Sequence, residues 1–245
     1  MIKLLENEAL LFDKYLIIAD IHFGDFFVYD IEILEHYKNE ITSKIIKILE
    51  KEKKRKMIIN GDLKESIGLP NKIIRKLLVD FLESILNYVE ELIIIKGNHD
   101  GKIEEILSDL KHYGNFEIIK ELILRNTIIY HGHRKVKDNS LLDVSTIITA
   151  HIHPAINFSP LRKNIKAWLL GHLNINIEDE IKDLNWIVLP AFSDYTYGLA
   201  LNQLSDLELL SLIPIKGTVK LDKVTILLKD LTPVEEREID VEGQN

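Results

Sequence analysis

Leu92-Ile93-Ile94-Ile95-Lys96-Gly97-Asn98-His99-Asp100 sets the reading of the whole chain. A short apolar run reads as a β-strand. This one gives way at once to a glycine, an amide, an imidazole and a carboxylate. The same construction recurs on either side. Tyr15–Ala19 is followed by Asp20-Ile21-His22, and Met57–Ile59 by Asn60-Gly61-Asp62. Downstream, Thr127–Tyr130 is followed by His131-Gly132-His133, and Thr146–Thr149 by Ala150-His151-Ile152-His153. Sites in open α/β sheets form at the carboxyl ends of strands, so five such segments can converge.

Between the first three strands lie amphipathic stretches. Leu34, Ile41, Ile45 and Ile48 repeat at helical spacing, as do Ile73, Ile74, Leu77, Leu78, Phe81, Leu82 and Ile85. Ile103, Ile106, Leu107 and Leu110 predict a third, shorter helix. Strand and helix in alternation predict an α/β fold with parallel pairing in the first half. The second half changes character. Phe116–Ile119, Leu122–Leu124, Ala167–Leu170, Trp186–Leu189 and Val224–Leu228 leave little room for helices and predict antiparallel sheet. With no repeat and no Pro/Gly linker, one domain is expected over 1–232, with a polar, frayed tail at 233–245.

Bulk composition narrows the class. Of 245 residues, 46% are hydrophobic, enough to bury a sizeable core. The absence of cysteine excludes disulfides, thiolate metal sites and a cysteine nucleophile. Glu6 and Glu8 interrupt the apolar N-terminus, so it is no signal segment, and no run approaches the ~18 apolar residues of a membrane helix. A soluble, cytoplasmic protein that makes no membrane contact is expected. The net charge of −8 repels phosphate backbones at long range, although bound cations reverse the field locally. The cluster Lys51-Glu52-Lys53-Lys54-Arg55-Lys56 reads as the solvated end of a helix.

The residue types at the five strand ends point to metal. In extended chain, residues i and i+2 project to one side, so Asp20 with His22, and His151 with His153, can grip an ion together. Glycines beside Asp62, Asn98 and His131 let the backbone approach closely. Carboxylate, amide and imidazole without thiolate suit Mn²⁺, Fe, Zn²⁺ or Co²⁺ better than Ca²⁺. Seven ligands are too many for one ion and suit a pair sharing a bridging carboxylate.

Asp20-x-His22, Gly61-Asp62, Gly97-Asn98-His99-Asp100, His131 and His151-x-His153 resemble, in order, the motifs of the calcineurin-like metallophosphoesterases. That resemblance implies a four-layer α/β/β/α sandwich with two mixed β-sheets. It implies that Asp20, His22 and His153 hold a first metal, that Asp62 bridges, and that Asn98, His131 and His151 hold a second. It makes His99 the catalytic histidine rather than a ligand. The implied cofactor is a pair of divalent transition metals, Mn²⁺ first, with Fe, Zn, Co or Ni as alternatives. The implied reaction is hydrolysis of a phosphodiester or phosphomonoester, with DNA or a nucleotide as candidate substrates. Two features depart from the pattern or leave it open. Ala150 stands where the family has glycine, and either His131 or His133 can be the ligand.

Gly61-Asp62-Leu63-Lys64, His151-Ile152-His153-Pro154-Ala155 and Leu189-Pro190-Ala191-Phe192 further resemble an archaeal phosphoesterase group. That group is related to the nuclease subunit of the SbcCD repair complex and to phosphoesterases associated with DNA ligases. The alternatives are a cyclic-nucleotide type of phosphodiesterase, a nucleotide-binding regulator, and a non-catalytic protein-binding scaffold; the presence of His99 and all seven ligands argues against the last. Lys64, His133, Arg134 and Arg162 are candidate substrate contacts. His36 and His112 read as surface residues, His172 as a turn or partly buried histidine, Asp100 as the cap of a helix near Gly101 that can also orient a site histidine, and Tyr195 and Tyr197 as core or interface packing. The loops 26–29, 65–70 and 134–142 carry no readable motif.

Overall fold

Alternation along the strands builds the layers. In the strand Tyr15–Ile18 (β3), Leu16 and Ile18 pack on one side, while Tyr15 and Ile17 pack on the other with the following Ala19. The computed structural model describes residues 1–24, 31–158, 163–177 and 180–239. Strands Ile2–Leu5 (β1), Ala9–Phe12 (β2), β3, Lys56–Asn60 (β4), Glu91–Ile95 (β5) and Phe116–Ile119 (β6) form one sheet in chain order. The first three pair antiparallel, and β3 to β6 pair parallel. Helices Ile31–Lys51 (α1) and Lys72–Leu86 (α2) cross between parallel strands and pack on the outer face.

Local signals set the helix ends. The Asn71 side chain accepts from the backbone N–H groups of Ile73 and Ile74 at 2.9 Å each, starting α2. After α1, Lys53 turns left-handed at φ 52° and the Lys54 N–H returns to the Leu49 carbonyl at 2.8 Å. Beyond β5, the predicted third helix is one α turn, Ile103–Ile106 (α3), followed by a 3₁₀ segment at Ser108–Tyr113. Ile73, placed on the apolar face of α2 by periodicity, is 45% exposed.

The second sheet contains Glu121–Leu124 (β7), Thr127–Tyr130 (β8), Thr146–Thr149 (β9), Pro154–Phe158 (β10), Lys163–Ile177 (β11), Glu180–Val188 (β12) and Leu199–Ala200 (β13) in the order β13-β10-β11-β12-β9-β8-β7. It is mixed rather than antiparallel, because β9 lies parallel to both β8 and β12. That parallel core lets β8 and β9 deliver their carboxyl ends to the same side. Val219–Leu228 (β14) pairs with β11, and Pro233–Glu238 (β15) pairs with β14. The stretch from Pro233, expected as a frayed tail, is therefore an edge strand as far as Glu238. The short helix Asp206–Ser211 (α4) lies on the outer side of this sheet.

Between the sheets, Leu10, Tyr15, Ile17, Ile58 and Ile93 meet Ile129, Ile148, Trp168 and Leu189. Separate apolar layers join each sheet to its outer helices, giving the α/β/β/α sandwich. No helix among the described residues is long and apolar enough to cross a membrane.

Candidate metal centre

The chain turns sharply where its chemistry begins. Asp20, His22, Asp62, His151 and His153 have φ of 54°, 49°, 49°, 70° and 46°, in the left-handed region that few non-glycine residues occupy. The pairing of i with i+2 therefore does not arise from an extended pleat, as the spacing suggested; positive φ re-aims these side chains. Adjacent turns hold one another in place. The Asp20 N–H donates to the Gly61 carbonyl at 3.1 Å and the His22 N–H to the Asp62 carbonyl at 2.9 Å. The Ala150 N–H donates to the His131 carbonyl at 2.9 Å, and buried alanine is accommodated where the related pattern has glycine. Two glycines are dictated by space. A Cβ on Gly61 would lie 2.1 Å from His131 Nδ1, and one on Gly97 would lie 2.0 Å from Asp62 Oδ1.

Three groups of donor atoms result, with the atoms of each within 4.8 Å of one another: His22, Glu65 and His99 make one, and two others share Asp62, with Asp20, His22 and His153 in one of them and His131 and His151 in the other. Asp62 Oδ2 belongs to both, at 3.8 Å from His22 Nε2 and 3.1 Å from His131 Nε2. His153 Nε2 lies 3.3 Å from Asp20 Oδ1 and 3.1 Å from His22 Nε2. Asn98 follows β5 with its Oδ1 buried and without a hydrogen-bond partner.

The outer hydrogen bonds decide what the rings present inward. His131 Nδ1 sits 2.9 Å from the Asn60 carbonyl, which only accepts, so Nδ1 carries the hydrogen and Nε2 offers a lone pair toward Asp62. His22 Nδ1 is held by Glu65 Oε2 at 2.6 Å, and its Nε2 is likewise turned inward. Acceptor atoms facing one another at 3.1 Å need a cation between them. The donor set of carboxylates, imidazoles and an amide oxygen fits a divalent transition metal.

A family model for the calcineurin-like phosphoesterases matches residues 14–195. The chain belongs to that family. Its members are metal-dependent hydrolases of phosphoesters, and the match spans all three donor groups. Among solved structures, the nuclease MPE of Pseudomonas putida is similar with a TM-score of 0.62 and 16% identity, over 95% of this chain and 94% of that one. The phosphoesterase YfcE of E. coli is similar with a TM-score of 0.41 and 13% identity, over 92% of this chain and 99% of that one. The first of these likenesses is one of fold. Among curated proteins no match is found.

Without a metal, protons take the role of the cation in this phosphoesterase. Desolvation opposes the charge on His131, yet Asp62 and Asp20 raise it to about 9. Burial also opposes ionisation of Asp20 and Asp62. His153 beside the first and His131 beside the second nevertheless hold both carboxyls below their ordinary range. Burial pushes His22 down, against the opposing pull of Asp20.

His99 stands edge-on to His22, ring centroids 5.0 Å apart, with its Nδ1 on the Glu65 backbone carbonyl. Its N–H donates to Asp62 Oδ1 at 2.9 Å, tying the two segments together. Glu65 thus supports both His22 and His99, and sequence reasoning passed it over. It lies in a bend with no motif, and only the fold brings it beside two histidines.

Four expectations are corrected. Lys64 does not face substrate: it is fully buried, with Nζ donating to the carbonyls of Ser66, Ile67, Gly68 and His99. Asp100 does not cap α3. Buried, it accepts from Leu63 N–H at 3.0 Å and Gly97 N–H at 2.8 Å, and so fastens the β4 turn to the β5 turn. Tyr197 is 88% exposed, and Tyr195 rests edge-on against Tyr37 rather than in the core. His172 lies exposed within β11, whereas His36 and His112 are surface residues. His133 joins none of the donor groups; its ring centroid is 5.4 Å from that of His131, and it leads with Arg134 into an adjoining cleft. Arg162 and the loop 26–29 lie outside the described residues.

Proposed function

We propose that the protein hydrolyses phosphodiesters at a two-metal centre. In this reading Asp20, His22 and His153 hold one ion, Asn98, His131 and His151 the other, and Asp62 spans both. The observation that supports it is the inward-facing Nε2 atoms of His22 and His131, each ring fixed by an outer acceptor, at 3.8 Å and 3.1 Å from the shared Asp62 Oδ2. When bound, the ions supply positive charge to the phosphoryl oxygens and acidify a water for in-line attack. Mn²⁺ is the leading candidate because the donors are mixed oxygen and nitrogen with no sulfur.

The chain's own residues do the rest. His99 Nδ1 is committed to the Glu65 carbonyl, so the ring acts as a general acid through Nε2 on the leaving oxygen. Phosphodiesters with poor leaving groups need such an acid most, which favours diesters of natural alcohols, nucleic acid included. The buried Lys64 ammonium draws the His99 carbonyl and the 66–68 turn together, holding the ring in place.

Turnover of bis-p-nitrophenyl phosphate against p-nitrophenyl phosphate with added Mn²⁺ tests the reading, together with elemental analysis. Two Mn²⁺ per chain and preference for the diester are expected. No turnover with both ions bound would favour the scaffold reading instead. His99→Asn should keep both ions while kcat falls about 10²–10⁴-fold; rescue of that loss by excess Mn²⁺ would make His99 a ligand.

A further inference from the structure

A cleft of about 950 Å³ opens beside His131 and His133, and its charge is at odds with the rest of the molecule. The chain as a whole carries −8. Yet Lys120, Arg134, Lys135, Lys137 and Lys216 line this cleft, against Glu121 as the one acidic residue on its described wall. All five cations are exposed. Some lysines elsewhere face carboxylates closely, as Lys44 does Glu8 at 2.9 Å and Lys166 does Asp194 at 2.7 Å. The five cleft cations have no ion pair within 4 Å among the described residues.

The cleft is also built from segments far apart in the chain. Lys120 sits between β6 and β7, at the edges of the two sheets. Arg134 to Lys137 follow directly from the strand end that bears His131. Lys216 is fastened to them by a parallel bridge between Val136 and Ile215, with the Lys216 N–H on the Val136 carbonyl at 2.8 Å and the Val136 N–H on the Pro214 carbonyl at 3.0 Å. The fold therefore holds like charges together at a fixed place, against their mutual repulsion. A substrate with one phosphate would sit at the donor groups and leave these cations idle. A polymer of phosphodiesters would use both.

We infer that this cleft binds the phosphates flanking the scissile bond of a polynucleotide strand, with Arg134, Lys135, Lys137, Lys120 and Lys216 as its contacts. The inference rests on the reading of the adjoining site as a phosphodiesterase and names its substrate class. Binding of this kind is sequence-independent and falls steeply with salt.

The test is fluorescence anisotropy of labelled 20-mer oligodeoxythymidylate and oligouridylate, without metal, across a salt series. The double variant Lys135→Glu, Lys137→Glu is compared with Lys47→Glu, Lys51→Glu, which changes net charge equally on α1. The cleft variant should weaken binding at least tenfold relative to the α1 variant. The slope of log K against log salt should shrink by about 1.4, for two lost contacts to a single strand. With Mn²⁺, the ratio of oligonucleotide to nitrophenyl-diester efficiency should fall in the cleft variant alone. Either polymer behaving this way supports the inference and identifies the preferred sugar. Equal affinity and slope in the two variants would overturn it, whatever the turnover. Failure to hydrolyse any diester, with the binding pattern intact, would instead remove the hydrolase reading and leave the cleft.

Discussion

Glu65→Ala isolates the hold on His22 from everything else its loop does. The Glu65 carboxylate takes the Nδ1 hydrogen of His22 at 2.6 Å. Its backbone carbonyl, which survives the change, still meets His99. Removing an outer carboxylate behind a metal-binding imidazole lowers metal affinity about 10–100-fold, or roughly 1.4–2.8 kcal/mol. The Glu65 side chain is 25% exposed, so water takes over part of the lost bond and the lower half of that range is expected. Calorimetric titration of metal-stripped protein with Mn²⁺ should show one of two binding events weakened about tenfold. The other should keep its constant, because His131 is fixed independently by the Asn60 carbonyl at 2.9 Å. At saturating Mn²⁺ the rate should largely recover, since His99 has kept its partner. Glu65→Gln, which retains an acceptor oxygen, should fall between. Two unchanged binding constants would refute the claim that Glu65 orients His22. Equal weakening at both sites would mean that the loop itself had moved and carried Asp62 with it.

The metal-free protein should lose stability as pH rises. His131 is raised from its unfolded value of 6.5 to about 9, so its contribution, on the order of 3 kcal/mol, is complete below 6.5 and lost on the way to 9. Melting temperatures across that window should fall for stripped protein and stay level with Mn²⁺ bound; a level profile for both would contradict the assignment. Gly97→Ala places a Cβ 2.0 Å from Asp62 Oδ1 and 2.4 Å from its backbone nitrogen. Bound metal should approach zero by elemental analysis while far-ultraviolet circular dichroism is retained, with about 1–3 kcal/mol lost to overpacking. Trp168→Ala empties the layer between the sheets and should cost about 3–5 kcal/mol in urea unfolding; a loss under about 1 kcal/mol would place Trp168 outside that layer.

Much of the first sheet was legible because its strands are short apolar runs broken by helices of clear period. Leu92–Ile95 and Met57–Ile59 fall inside β5 and β4. The strand ends bearing Asp20, Asp62 and His131 were legible for the same reason: polar residues follow apolar ones without a gap. β1 and β2 escaped because Glu6 and Glu8 interrupt their pattern, and Glu8 is in fact buried, with Lys44 at 2.9 Å. The parallel pairing of β9 with β8 and β12 was hidden, since strand direction leaves no mark on composition. Glu65, Lys64 and Asp100 were missed or misplaced for a related reason. Their roles depend on carbonyls and N–H groups from segments that only tertiary structure brings near.

The positive φ angles at Asp20, His22, Asp62, His151 and His153 set durability against chemistry. Each such residue stores roughly 1 kcal/mol or more of backbone strain that glycine would release. A library sorted for heat resistance alone would therefore enrich replacements at these positions, and the survivors would be hardy and inert. His151→Gly should display the conflict in a single clone, as a higher melting temperature in the stripped protein beside a lost binding event. Any laboratory evolution of this protein needs a gate on turnover at every round, because the most rewarded mutations would otherwise be those that erase its purpose.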